Sequence, residues 1–232
     1  MQYKNEFGQP VGQLLENWLP RPSPERICLD GDYCQIEPLS LAHAESLYSS
    51  FSQLTDTRNW TWLPNEAPRD LSEYKVWIET QCQKNDPLFY TIKDKKTNQY
   101  IGVFALMRID AINGVAEVGH VHFSPLLSGK TMATEAHWLL MKYLFDILGY
   151  RRYEWKCNSL NEPSRRAALR LGFQFEGRFR NALVVKGRNR DTDWFSIIDS
   201  EWPAINQSIK SWLSPTNYTK DGKQLKSLIE FR

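Results

Sequence analysis

The stretch from Val115 to Gly149 constrains this chain more than any other. Its first part, Val115–Phe123, reads as a strand led in by the tight-hairpin pair Asn113-Gly114. Its last part is the longest helix. Ala136, Leu139, Leu140, Tyr143, Leu144 and Ile147 recur at i, i+3, i+4, i+7, i+8 and i+11, and Gly149 supplies the stop. Between them a Gly- and Thr-containing turn feeds the helix start. Such a junction leaves backbone N–H groups pointing outward, and with the helix dipole they form an anion site suited to a pyrophosphate. Lys130 adds a cation there. The turn alone does not decide the matter, since many strand-to-helix turns bind nothing. The strand carries a second signal. Its apolar residues sit at Ala116 and Val118, then at Val121 and Phe123, so the alternation slips beside Gly119. A glycine at a phase slip marks a β-bulge, which would bend the strand away from a neighbour and free backbone groups for an amide-bearing ligand. The alternative is a strand buried on both faces, where the phase carries no message.

Around this unit, strands and helices follow one another in mixed order. Strands are expected at Tyr33–Pro38, Leu88–Lys93, Tyr100–Ile109, Arg152–Cys157, Phe173–Val185 and Arg190–Ile198, with Lys186–Asn189 turning between the last two. Helices are expected after Ser40 (Leu41, Ala44, Leu47, Tyr48, Phe51), after Asp70 with Glu73 as a capping box, over Glu162–Leu171 closed by Gly172, and from Trp202 or Pro203. The sum is an α/β (α+β) domain: a mixed sheet of about seven strands with helices on its faces. Gly8, Pro10, Gly12, Pro20, Pro22 and Pro24 argue against regular structure near the start, so residues 1–30 read as an arm laid over the domain or a loose leader, with Trp18, Leu14 and Leu15 suggesting that it docks. Residues 31–213 form the domain, and the polar stretch 214–232 reads as a weakly held tail.

Composition excludes several classes. The 232 residues are 41% hydrophobic and 24% charged, enough apolar mass for a packed core, and the net charge of +2 is too balanced for nucleic-acid binding. Cys28, Cys34, Cys82 and Cys157 are scattered without metal-ligand spacing, so no metal is expected and the thiols suit a reducing cytoplasm. There is no signal-like leader and no apolar run approaching the ~20 residues of a membrane span.

Asn161-Glu-Pro-Ser164 is a capped helix start in its own right. Taken with Ala116-Glu117-Val118-Gly119, Gly129-Lys130, Met132-Ala133-Thr134-Glu135-Ala136 and Leu171-Gly172-Phe173-x-x-Glu176-Gly177, it resembles the GNAT N-acetyltransferase family. The likeness is closest to the ribosomal-protein-alanine (RimJ/RimL-like) branch, which Gly187-Arg188-Asn189-Arg190-Asp191, Trp194-Phe195-Ser196 and Glu201-Trp202 also resemble. It runs over residues 33–204. The resemblance implies a mostly antiparallel mixed sheet whose splayed strand pair holds acetyl-CoA as co-substrate. It implies that Val121, His122 and Phe123 lend backbone groups to the pantetheine arm. Ser128, Gly129, Lys130, Thr131, Met132 and Ala133, with Thr134, would hold the pyrophosphate. Asn161 would bond the pantetheine or acyl region, Ser164 would lie near the sulfur, and Glu117 would match the family's strand carboxylate. Two positions depart from the pattern: Ser128 stands for a Gln or Arg, and Thr131 for a Gly.

Amide formation sets the chemical demands. An amine attacks a thioester only as free base, whereas Lys-type amines titrate near ~10.4. Glu117 could take that proton, a backbone N–H at Val121–Phe123 could stabilise the oxyanion, and Ser164 could protonate the thiolate. Glu117 reads equally well as a merely solvated or salt-bridged strand residue. His120 and His122 alternate on the strand, but a bulge beside them would spoil metal geometry, so they read as core or cleft lining. His137 should face solvent or a neighbour. Arg178, Arg180, Lys186, Arg188 and Arg190 read as a solvated hairpin face, with an acidic-substrate contact as the sharper alternative. The expected activity is acyl, first acetyl, transfer to a protein N-terminus or small-molecule amine. Other readings are a CoA-binding protein without catalysis, a user of succinyl-CoA, or a nucleic-acid or partner-binding module. A homodimer is left open.

Overall fold

The computed structural model describes residues 3–54, 56–221 and 223–232. Strands β1 (Tyr3–Lys4) and β2 (Pro10–Val11) form a small antiparallel ladder in the arm, with Pro10 where no interior N–H is required. Strand β3 (Leu29–Asp30) and β4 (Cys34–Pro38) open the main sheet, followed by α1 (Ala44–Phe51) and α2 (Leu71–Cys82). Next come β5 (Leu88–Asp94), β6 (Tyr100–Asp110), β7 (Val115–Phe123) and α3 (Thr131–Lys142). The chain closes with β8 (Arg152–Asn158), α4 (Glu162–Leu171), β9 (Gln174–Val185), β10 (Arg188–Ile198) and α5 (Trp202–Leu213). The sheet order is β3-β4-β5-β6-β7-β8-β10-β9, and β7–β8 is the one parallel pair among antiparallel neighbours. A parallel pair needs a crossover, and α3 supplies it.

The sheet has eight strands where about seven were expected. The addition, Leu29–Asp30, is too short to show any periodicity in sequence. Alternation along β5 and β6 sends Tyr90, Ile92, Phe104 and Leu106 to the face covered by α3 and α5, and Phe89, Val103 and Ala105 to the face covered by α1 and α2. Both faces are therefore dry. Beyond Lys142 the long helix continues as a π-type turn, Tyr143–Ile147, and ends at Gly149 with φ +68°. The last hairpin turns tightly on Lys186 (φ +50°) and Gly187 (φ +70°), the both-positive geometry of a two-residue turn.

The arm docks through Trp18, whereas Leu14 and Leu15 stay exposed, and its short β1–β2 ladder is regular structure that the Gly and Pro spacing argued against. Trp18 Nε1 donates to Ile112 O at 2.9 Å, and the ring is covered by Arg21 at 4.3 Å. The tail is not weakly held. Asn217, buried, donates to Trp212 O and Lys226 O and accepts from Lys226 N, while Ser208 donates to Phe231 O and Arg232 to Leu169 O. The described residues beyond Leu213 thus lie across α4 and α5.

Candidate functional site

The site begins where two strands part. β7 and β8 pair from Val115↔Arg152 to Val118↔Trp155, then pairing stops although the strands continue to Phe123 and Asn158. The cause lies on the other side of β7. Gly119 opposes Ala105 and His122 opposes Val103, so β7 spends one residue more than β6, and His120 takes φ +50°. This is the bulge that the phase slip foretold. Gly119 suits it because a Cβ there would collide with Met107 Sδ. The gap opens into a cavity of about 950 Å³, within the range of ligand sites.

At one end of the cavity the turn reaches Gly129 (φ +73°), Lys130 occupies the cap position, and α3 starts at Thr131. The N–H groups of Ser128, Lys130 and Ala133 are spent on Ser124 O, Leu127 O and Lys130 O. Those of Gly129, Thr131 and Met132 have no acceptor among the described residues, so the anion-binding donors narrow to three. Thr131 Oγ1 lies 3.3 Å from the Tyr218 hydroxyl, and Thr134 Oγ1 accepts from Arg170 Nη1 at 2.8 Å. The Met132 side chain packs into the core instead of lining the cavity. Lys130, Arg166 and Arg170 make this end positive.

In the middle, Asn161 Oδ1 accepts from Ser164 N at 3.2 Å as the α4 cap, which leaves its amide NH₂ for a ligand. Ser164 Oγ accepts from Trp155 Nε1 at 3.0 Å and keeps its own proton to donate. Both residues line the cavity beside the free ends of β7 and β8.

The far end holds Glu117, almost fully buried. Its Oε2 is 2.6 Å from Arg108 Nη1 and 2.8 Å from Lys156 Nζ, while Oε1 has no hydrogen-bond donor among the described residues. Lys156 lies 2.8 Å from Glu154 Oε2 and 3.8 Å from the centre of the Trp194 ring. Arg152 bridges Glu154 (2.7 Å) to Glu176 (2.5 Å), and that pairing holds the Glu176 carboxyl down at about 2. Burial by itself would raise Glu154, but Lys156 and Arg152 outweigh it and lower the group. Arg108 can reach Glu117 because it sits at a bulge in β6 with φ +49°, where Asp86 accepts from the N–H groups of Arg108 and Ile109.

The histidines are structural. His122 stacks on Phe51 at 3.9 Å, and burial pushes it down to about 3. His120 tilts against Phe89 and is pushed down to about 4 by burial, Lys84 and Arg108. His137 meets no solvent. It is buried among Phe104, Phe123 and Trp155, because α3 is covered on more than its apolar stripe. No group of three metal-ligating side chains occurs among the described residues. The basic hairpin series divides. Arg178 and Arg165 pair with the fully buried Asp193, Lys186 donates to Trp60 O at 2.9 Å, and Arg190 lines the cavity. Sequence reasoning missed Lys156, Arg108 and Tyr218. The alternation of Arg152, Glu154 and Lys156 along a strand whose other residues are core was the available signal for the first.

The description of an Acetyltransferase (GNAT) domain matches residues 35–174. A solved GCN5-related N-acetyltransferase from Brucella melitensis is 49% identical, aligns over 94% of this chain and 99% of its own, and superposes with a TM-score of 0.91. The uncharacterized N-acetyltransferase YokL of the SPbeta prophage in Bacillus subtilis (strain 168) is 27% identical over 58% of this chain and 75% of its own length. The ribosomal-protein-serine acetyltransferase of Escherichia coli (strain K12) is 30% identical over 46% of this chain and 59% of its own length. Two further curated relatives are matched over 63% and 55% of their lengths.

Proposed function

This chain belongs to the GNAT acetyltransferase family and is an acyl-CoA-dependent N-acetyltransferase, and from that premise we propose that it acetylates a primary amine by direct attack in the cavity between β7 and β8. The observation that carries this reading is the continuity of one cavity from the helix start at Gly129 and Thr131, past Asn161 and Ser164, to Glu117. Pyrophosphate would lie on the helix start with Lys130, Arg166 and Arg170 around it. The pantetheine arm would take the place β8 vacates, pairing with the backbone of Val121, His122 and Phe123, while Asn161 offers its amide. Ser128, Thr131, Ala133 and Thr134 shape the phosphate end.

At the other end the acceptor nitrogen would approach Glu117 Oε1, the atom the two cations leave open. The nitrogen gives a proton to that carboxylate, directly or through water, and bonds to the acetyl carbon. The C–S bond then breaks, and the departing thiolate takes a proton from the Ser164 hydroxyl or solvent. The products are an amide and free CoA. The free state of all four cysteines supports a cytoplasmic setting. No helix among the described residues is long and apolar enough to cross a membrane.

The test is a melting shift with acetyl-CoA followed by thiol release against an amine panel. At a hundredfold excess over Kd, linkage stabilises the fold by about 2.7 kcal/mol. No shift at millimolar CoA, or binding without thiol release for every amine class, would remove the reading.

A further inference from the structure

The charges at the acceptor end of the cavity do not balance. Glu117 is the single carboxylate in the cavity wall among the described residues, and it is already shared by Arg108 and Lys156. Following the network outward, Arg108, Lys156 and Arg152 are matched by Glu117, Glu154 and Glu176. Arg190 is then left over. It lines the same cavity, makes no ion pair among the described residues, and its Nε is buried without an acceptor.

Its placement is built. On β9 the ladder to β10 skips between the Leu183↔Arg190 and Phe179↔Thr192 pairs, with Asn181 at φ +49°. Asp191 holds that irregularity by accepting from Asn181 N at 2.8 Å and Asn189 Nδ2 at 3.0 Å. Burial depresses the Arg190 guanidinium, Glu117 favours its charge and Arg108 opposes it. A buried guanidinium donor without a partner is costly, and a ligand oxyanion is the group that relieves it.

We propose that the acceptor is an amine carrying an oxyanion, a carboxylate or a phosphate, near its nucleophilic nitrogen, and that Arg190 is the residue that selects it. The proposal rests on the acyltransferase reading above and names the acceptor class for that same site. The amine would meet Glu117 Oε1 while the oxyanion meets Arg190. The remainder of the acceptor is apolar, because Leu183 and Val185 from the hairpin line the same cavity as Trp62, Leu63 and Pro64. Lys186 pins these two walls together through Trp60 O and a 3.4 Å approach to Glu66. A polyamine would bring a second ammonium into a chamber that already has a positive charge to spare, and is rejected.

Thiol release from acetyl-CoA is measured with leucine, leucinamide, phosphoethanolamine and spermidine, while acetyl-CoA binding is followed separately by melting shift. Leucine or phosphoethanolamine should exceed leucinamide and spermidine by at least about tenfold in kcat/KM, and which of the two leads tells carboxylate from phosphate. Arg190→Gln should erase the preference through KM and leave the acetyl-CoA shift intact, whereas Arg190→Lys should keep part of it. Equal turnover of leucinamide or spermidine overturns the proposal, as does a preference that survives in Arg190→Gln. Faster transfer from succinyl-CoA than from acetyl-CoA to leucinamide overturns it too, since the anion site would then serve the acyl donor. If no amine turns over but acetyl-CoA binds, equal protection of the CoA-bound protein by leucine, phosphoethanolamine and leucinamide also overturns it. A protein that does not bind acetyl-CoA defeats the acyltransferase reading first, so the two failures are told apart.

Discussion

Lys156 Nζ lies 2.8 Å from Glu117 Oε2, across the last paired turn of two parallel strands that are about to separate. The ion pair therefore stands at the apex of the gap and ties its two sides together. Lys156→Met removes the tie but leaves Glu117 with Arg108 and Glu154 with Arg152. The expected cost is about 1–3 kcal/mol of folding stability, below the ~3–5 kcal/mol of a pair broken outright. Urea unfolding measures it, and an unchanged midpoint would show that the tie carries no stability.

Glu117→Gln keeps shape and hydrogen bonding but cannot accept a proton. If Glu117 is the base, turnover should fall by about 10²–10⁴ while the acetyl-CoA melting shift stays as it was. The loss should shrink as pH rises, because more of the acceptor is then already free amine. A loss that does not change with pH would make Glu117 a counter-ion that positions the amine.

Asn161 serves two masters through two atoms, Oδ1 on the α4 cap and the amide NH₂ toward the cavity. Asn161→Asp keeps the cap and removes the NH₂ donor, whereas Asn161→Ala removes both. The cap alone accounts for about 1 kcal/mol. Asn161→Asp should thus melt close to the parent protein and turn over more slowly, and parity in turnover would reduce Asn161 to a cap.

Acid should unfold this protein through its buried imidazoles. His122 and His137 are both pushed down to about 3 by burial, from 6.5 in an open chain. Each stays neutral in the fold, so its contribution is complete above the unfolded value and is lost as pH falls from 6.5 toward 3. Between pH 7 and 4.5 each should cost about 2–3 kcal/mol. Urea midpoints over that range, compared with His122→Asn, check it: the variant should lose less on acidification.

What the sequence made legible was whatever obeys a period or breaks one. The α3 stripe, the Gly119 phase slip and the Asn161 cap were visible because each is local. Leu29–Asp30 was invisible because two residues show no alternation. Glu117 kept two readings because its partners Arg108 and Lys156 come from separate strands, and only their register brings them to one oxygen. The basic hairpin series was read as one solvated face. A single irregularity in the ladder instead sends Arg178 to the buried Asp193 and Arg190 to the cavity.

Among the described residues beyond Leu213 none joins the eight-stranded sheet, yet Tyr218 reaches Thr131 at the helix start and Gln224 stands in the cavity wall. These residues are synthesised after every strand of the sheet. A chain stopped short of them would keep most of its hydrophobic core but lose Leu228 from it, and would leave the cavity without Gln224 and Thr131 without Tyr218.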